Sequence, residues 1–234
     1  MRCSSLVDSA AGTRILIDCG PEFYQQIQTV DYRCIDGVLV THEHFDHTGG
    51  LDDLRPFCRF GDVDIWLDAY TAGHLRTRLP YFFKEKLYPG VARLRLHEAT
   101  IGQAFTIGDI RVLPLVQHGT LPILGYRLDA SDGTSLGYIT DMPHCPDQTL
   151  RALRGEGGGA EDLGPVDALV VNALCIEPHP SHQCLDEAIA LAARVGAEQT
   201  RFIHFSHGIG LQAETNAQHP RGQQLAYDGM VMTW

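Results

Sequence analysis

The chain has 234 residues, of which 44% are hydrophobic and 20% charged, and 29 Asp and Glu against 18 Lys and Arg give a formal net charge of −11. That length suits a single domain over residues 1–234 with enough chain to bury a core. No apolar run approaches a membrane span, no basic segment followed by a long apolar stretch opens the chain, and the acidic balance disfavours nonspecific binding to nucleic acid or an anionic membrane. These features predict a soluble, cytoplasmic protein with neither a membrane nor a nucleic acid as partner. Seven scattered cysteines, never in a CxxC pair, predict free thiols in a reducing compartment.

Residues 14–18 (RILID) read as a strand, which CGP at Cys19 to Pro21 ends before a helix-like stretch at 22–28. A second strand at 37–40 is followed by a helical spacing at 51–57, a strand at 64–67 and a helix at 70–79. This alternation predicts α/β layering. The aromatic-rich connection at 81–89 is a candidate substrate wall. The rhythm then changes to short β-like runs at 92–96, 105–107, 110–115, 125–128 and 135–140, which predict an antiparallel meander. A helix is expected at 146–154, a glycine-rich loop at 155–164, a buried strand at 166–172, an amphipathic helix at 185–195 and a strand at 200–204.

The strand at 37–40 delivers THEHFDH (Thr41 to His47), and Gly49 and Gly50 follow, as expected where backbone approaches a site closely. His42 and His44 are two apart, so in an extended segment they point to one side and can share a cation. Asp46 and His47 can turn to a second. Imidazole nitrogen mixed with carboxylate oxygen suits zinc, manganese or iron rather than calcium or magnesium. One cluster cannot saturate two ions, so further donors are expected at later strand ends. His118, Asp141 and His204 each follow a predicted strand, and an aspartate such as Asp141 can bridge two cations through its two oxygens.

With these residues in place the chain resembles the metallo-β-lactamase superfamily, on THEHFDH, His118, the Thr140-Asp141 pair and the late His204. The resemblance implies an αβ/βα four-layer sandwich with a dinuclear centre. It implies that His42, His44 and His118 hold one divalent ion, that Asp46, His47 and His204 hold the other, and that Asp141 bridges. RCSSLV, LIDCGPEF, HTGGLDDLR, SHQCLDEAI, HFSHGIGLQAE and AYDG narrow the likeness to cyclic phosphodiesterases typified by the phosphoribosyl cyclic phosphate phosphodiesterase of phosphonate breakdown. In that group a histidine matching His182 is an active-site acid or base. Members of the group carry a strand, a glycine-rich turn and often a zinc-binding cysteine cluster upstream of RCSS. Here RCSS opens the chain, so either the start is truncated or the sandwich lacks that first strand, which would leave an unpaired edge suited to pairing with a second copy. His207, at a structural-zinc position of the group, would lack its cysteine partners.

Two divalent ions bring four positive charges, and two carboxylates with one hydroxide remove three, so the centre stays positive within an acidic chain. That favours a small anionic phosphodiester, with Asp141 and His182 as the catalytic residues and His182 protonating the departing oxygen. Two other readings are a thioesterase or lactamase-type hydrolase attacking a carbonyl on the same fold, and a non-hydrolytic protein similar to pyrroloquinoline quinone biosynthesis protein B.

Overall fold

The computed structural model describes residues 1–116, 121–156 and 163–234. Its internal contacts group into two compact units, residues 1–110 and 111–234, and each is described by itself.

The first unit is built on a sheet of five strands in the order β1 (Ser5–Asp8), β2 (Arg14–Ile17), β3 (Gly37–Leu39), β4 (Val63–Leu67) and β5 (Leu94–Glu98). β1 and β2 are antiparallel, and the other pairs are parallel. Every residue of β2 and β3 is buried, as parallel strands covered on both faces require. The one charged residue among them, Arg14, is satisfied: its Nε and Nη2 donate to Asp8 at 2.8 and 2.7 Å, and Nη2 also donates to Asp31 at 2.8 Å. Around the sheet lie α1 (Phe23–Ile27), α2 (Phe45–Thr48) and α3 (Ala69–Arg78). Asp68 caps α3 by accepting from the Tyr70 and Thr71 amides. Leu16, Val38, Leu54, Phe57, Ile65 and Leu75 belong to one apolar core. A short strand, β6 (Phe105–Ile107), follows β5 in the chain but is not a member of this five-stranded sheet, and the Phe105 ring stacks on Trp66.

In the second unit the strands β7 (Ile110–Val116), β8 (Leu124–Ala130), β9 (Ser135–Ile139), β10 (Ala168–Asn172), β11 (Gln199–Ile203) and β12 (Gln223–Leu225) lie in the order β12-β11-β10-β9-β8-β7. β8 and β9 are antiparallel, while β9 to β12 run parallel. Its helices are α4 (Asp147–Leu153), α5 (Leu185–Val195) and α6 (Gln212–Asn216). α5 buries Leu185, Ala188, Leu191, Ala192 and Val195, the spacing of one helical face, and these join Val171 and Phe202 in a second core. Gly196, at φ 84°, ends that helix in the left-handed conformation favoured by glycine. Arg127 is almost wholly buried. It donates to Asp129 at 2.8 Å and to the Ala152 and Gly164 carbonyls at 2.8 and 3.0 Å, tying the end of α4 to β8.

Three expectations change. The run at 92–96 does not open a meander: it shifts to 94–98 and pairs in parallel with β4, Val63 facing Leu94. Residues Leu51–Arg59 form a 3-10 helix, with Pro56, which has no amide hydrogen to donate, inside it. Ser5–Asp8 is a strand, at the edge of the first sheet, that hydrophobic alternation alone did not single out. All seven cysteines are free thiols. Among the described residues no helix is long and apolar enough to cross a membrane.

Candidate metal centre and catalytic residues

In the first unit, β3 ends at Leu39 and the chain runs through buried Val40, Thr41 and His42 before α2 starts at Phe45. His42 Nε2 lies 2.9 Å from His44 Nδ1, and the His42 ring packs 4.3 Å from that of His47. His47 Nε2 is 3.5 Å from Asp46 Oδ2. Three imidazoles and a carboxylate thus converge within one loop, with His42 and His47 fully buried. Two ring nitrogens this close suit a shared cation, and the nitrogen and oxygen set fits a divalent transition metal.

Asp18 lies beneath this loop, and sequence patterning assigned it no role. It follows β2 directly, is fully buried, and holds φ at 58°, a left-handed conformation that Asp tolerates better than most residues. Its Oδ1 accepts from the Thr41 amide at 2.8 Å, the Thr41 hydroxyl lies 2.9 Å from Oδ2, and His47 Nδ1 lies 2.7 Å from Oδ2. A carboxylate only accepts, so Nδ1 carries the proton there, and the Nε2 lone pair is left to a cation. Its position at a strand end in LIDCGP was the signal available. Glu43, between His42 and His44, is anchored from α3: His74 Nδ1 is 3.0 Å from its Oε2, and Arg78 donates to its carbonyl at 2.6 Å.

Close backbone approach explains the glycine after the loop. A Cβ on Gly50 would come within 2.2 Å of the Gly20 carbonyl oxygen and 2.9 Å of Phe23 Cβ.

In the second unit, Asp141 and His204 follow β9 and β11 by two residues and one, and both hold positive φ, 56° and 57°. With Asp18 they are the only described non-glycine residues that do, and backbone strain of this kind gathers at functional sites. The Thr140 hydroxyl donates to Asp141 Oδ2 at 2.7 Å. Asp141 Oδ1 lies 3.1 Å from His182 Nε2 and 3.1 Å from His204 Nε2, and the two imidazole rings stack at 5.1 Å with planes 10° apart. His182 sits in the loop before α5, and its Nδ1 is 2.9 Å from the Ser181 hydroxyl, which also lies 3.2 Å from His179 Nδ1. His207 is exposed and opens the short 3-10 helix His207–Ile209. His118 lies outside the described residues.

The model of the beta-lactamase superfamily domain matches residues 13–205. The crystal structure of a diphosphatase from the PhnP family is 33% identical, with a TM-score of 0.82, over 98% of this chain and 82% of that one. The chain is a beta-lactamase superfamily protein of the PhnP family. It therefore has the metallo-β-lactamase fold and is related to hydrolases built on it. An octanoyltransferase of Porphyromonas gingivalis is 36% identical over 231 residues, 98% of this chain and 44% of that protein. A ribonuclease Z of Thermosynechococcus vestitus is 31% identical over 130 residues, 50% of this chain and 29% of that protein. The chain thus spans less than half the length of either relative.

Proposed function

We propose that this protein is a metal-dependent phosphodiesterase that hydrolyses a small anionic phosphodiester, most simply a cyclic one such as a phosphoribosyl cyclic phosphate. The observation that carries the reading is the pairing of His182 Nε2 with Asp141 Oδ1 at 3.1 Å in a PhnP-family chain. His182 is partly exposed, so its ring is open to a departing oxygen as a general acid must be. The names of the diphosphatase and ribonuclease Z relatives support phosphoryl chemistry.

On this reading His42, His44 and His118 hold one divalent ion, Asp46, His47 and His204 hold a second, and Asp141 serves both, an assignment that rests on the family resemblance and on the donor types present. Such ions, whether zinc, manganese or iron, would lower the pKa of water toward neutrality and offset charge on the phosphoryl oxygens. The chain supplies the rest. Asp18 fixes the His47 ring and its tautomer, Thr140 orients Asp141, and Ser181 steadies His182 from its far nitrogen. His182 then delivers its Nε2 proton to the departing sugar oxygen. The substrate is a small molecule, and the protein acts in the cytoplasm.

A second reading, hydrolysis of an acyl thioester, draws on the octanoyltransferase relative. The deciding experiment measures turnover of a phosphoribosyl cyclic phosphate, bis-p-nitrophenyl phosphate, an octanoyl thioester and a β-lactam on one sample of known metal content. Metal-dependent cleavage of the phosphodiesters is expected. Turnover of the thioester with none of either phosphodiester would overturn the proposal.

A further inference from the structure

The charge of this chain is unevenly placed. Residues 76–95 contain six of its eighteen basic residues, Arg76, Arg78, Lys84, Lys86, Arg93 and Arg95, and one acid, Glu85. Both lysines of the whole protein fall in this run. A chain with a net charge of −11 thus gathers a third of its cations into twenty residues, and the overall balance conceals that concentration.

The run spans the end of α3, the 3-10 helix Pro80–Phe83 and the start of β5, the last strand in the order of its sheet. Arg93 and Arg95 are paired with Asp62 and Asp64 at 2.6 and 2.8 Å. Arg76, Lys84 and Lys86 form no ion pair among the described residues. Arg76 and Lys84 border a cavity of about 430 Å³ whose charged lining is Arg76, Lys84, Arg93 and Arg95 with Asp62 and Glu85, and a second of about 260 Å³ shares Arg76 and Leu96 with it. Aromatic rings alternate with the charges. Arg76 lies over the Phe83 ring with its Cζ 5.7 Å from the centroid, Tyr81 is 37% exposed and Tyr88 is 80% exposed. The run begins at the histidine loop, because Arg78 donates to the carbonyl of Glu43.

We infer that this surface binds single-stranded nucleic acid, its cations tracking phosphates and its exposed tyrosines stacking bases. The choice over an acidic protein rests on the rings: carboxylate partners need cations and not stacking planes, whereas every base offers a face that tolerates any sequence. The surface lies on one unit and uses none of the metal-ligand candidates, so binding is readable without turnover and stands or falls apart from the proposed reaction.

The test is fluorescence anisotropy of the full chain with a labelled single-stranded RNA of about 12 nucleotides, a length within the footprint of single-stranded-binding modules. Affinity is expected to fall with salt, and the doubly substituted Lys84→Glu, Lys86→Glu protein is expected to bind at least about tenfold more weakly, with a shallower salt slope. Tyr88→Ala is expected to weaken binding about 5- to 150-fold. Arg221→Glu, an exposed charge reversal elsewhere, should change affinity less than about twofold. No binding at low salt, an unchanged affinity in Tyr88→Ala, or displacement of the RNA by polyglutamate as effectively as by unlabelled RNA would overturn the inference, the last pointing to an acidic protein. Because the substituted side chains are exposed, an unchanged melting curve shows that each variant is folded.

Discussion

Asp18 and Asp141 have nearly the same local structure and different surroundings. Each follows a parallel strand of its own unit, holds φ near 57° and lies by the hydroxyl of a threonine at the next strand end or beside it, Thr41 for Asp18 and Thr140 for Asp141. Asp18 is fully buried, and its oxygens face the Thr41 amide, the Thr41 hydroxyl and His47 Nδ1. Asp141 is slightly exposed, and its Oδ1 faces the Nε2 atoms of both His182 and His204. On the proposed function, the same strained strand-end aspartate serves as a support in one unit and as a reactive group in the other. What separates the roles is which nitrogen of the histidine it meets. An aspartate on Nδ1 orients a ring whose Nε2 is needed elsewhere, while an aspartate amid Nε2 atoms stands where the ligands themselves converge.

The contrast is sharpest if the second kind of aspartate is removed. Asp141→Asn keeps the shape and the threonine bond but loses the charge that both histidines share. Turnover should fall by more than about 100-fold, and metal content measured on the same sample should drop, since the loss of a ligand exceeds that of a supporting partner. Retention of full metal and activity would make Asp141 another support and erase the distinction. His182→Ala comes next. Activity on a cyclic phosphodiester is expected to fall about 10²- to 10⁴-fold, the usual contribution of general acid catalysis, while metal content stays unchanged. A parallel loss of metal would recast His182 as a ligand.

Much of this was legible in the sequence, for reasons that differ between elements. The helix Leu185–Val195 was placed to the residue because its apolar face repeats and Gly196 closes it. The strands β2, β3 and β10 showed as apolar runs because both their faces are buried. THEHFDH stood out because its donors are contiguous, whereas Asp141 and His204 could be found only by asking what each strand hands over to. β5 was misgrouped because strand pairing is decided by partners distant in sequence, and alternation carries no information about which sheet a strand joins. Asp18 passed unnoticed for a related reason: its carboxylate meets His47, 29 positions along, and a lone strand-end aspartate has no spacing to reveal it.

The smallest effect expected is also the most specific test of the comparison. In Asp18→Asn the amide oxygen can still accept from Thr41, so the fold should survive, but the amide nitrogen donates where the carboxylate accepted. Facing His47 Nδ1, it would draw the Nδ1 lone pair and leave the ring proton on Nε2, the nitrogen that a metal ligand must keep free of hydrogen. The consequence is a wrong tautomer and not a lost ligand, and the loss of a supporting partner of this kind typically lowers metal affinity or activity about 10- to 100-fold. The deficit should therefore appear as a raised metal concentration for half-maximal activity, with turnover largely recovered at saturating metal. Asp141→Asn should show no such recovery. If excess metal restores both variants equally, the two aspartates play one role and the difference in their surroundings has no functional meaning.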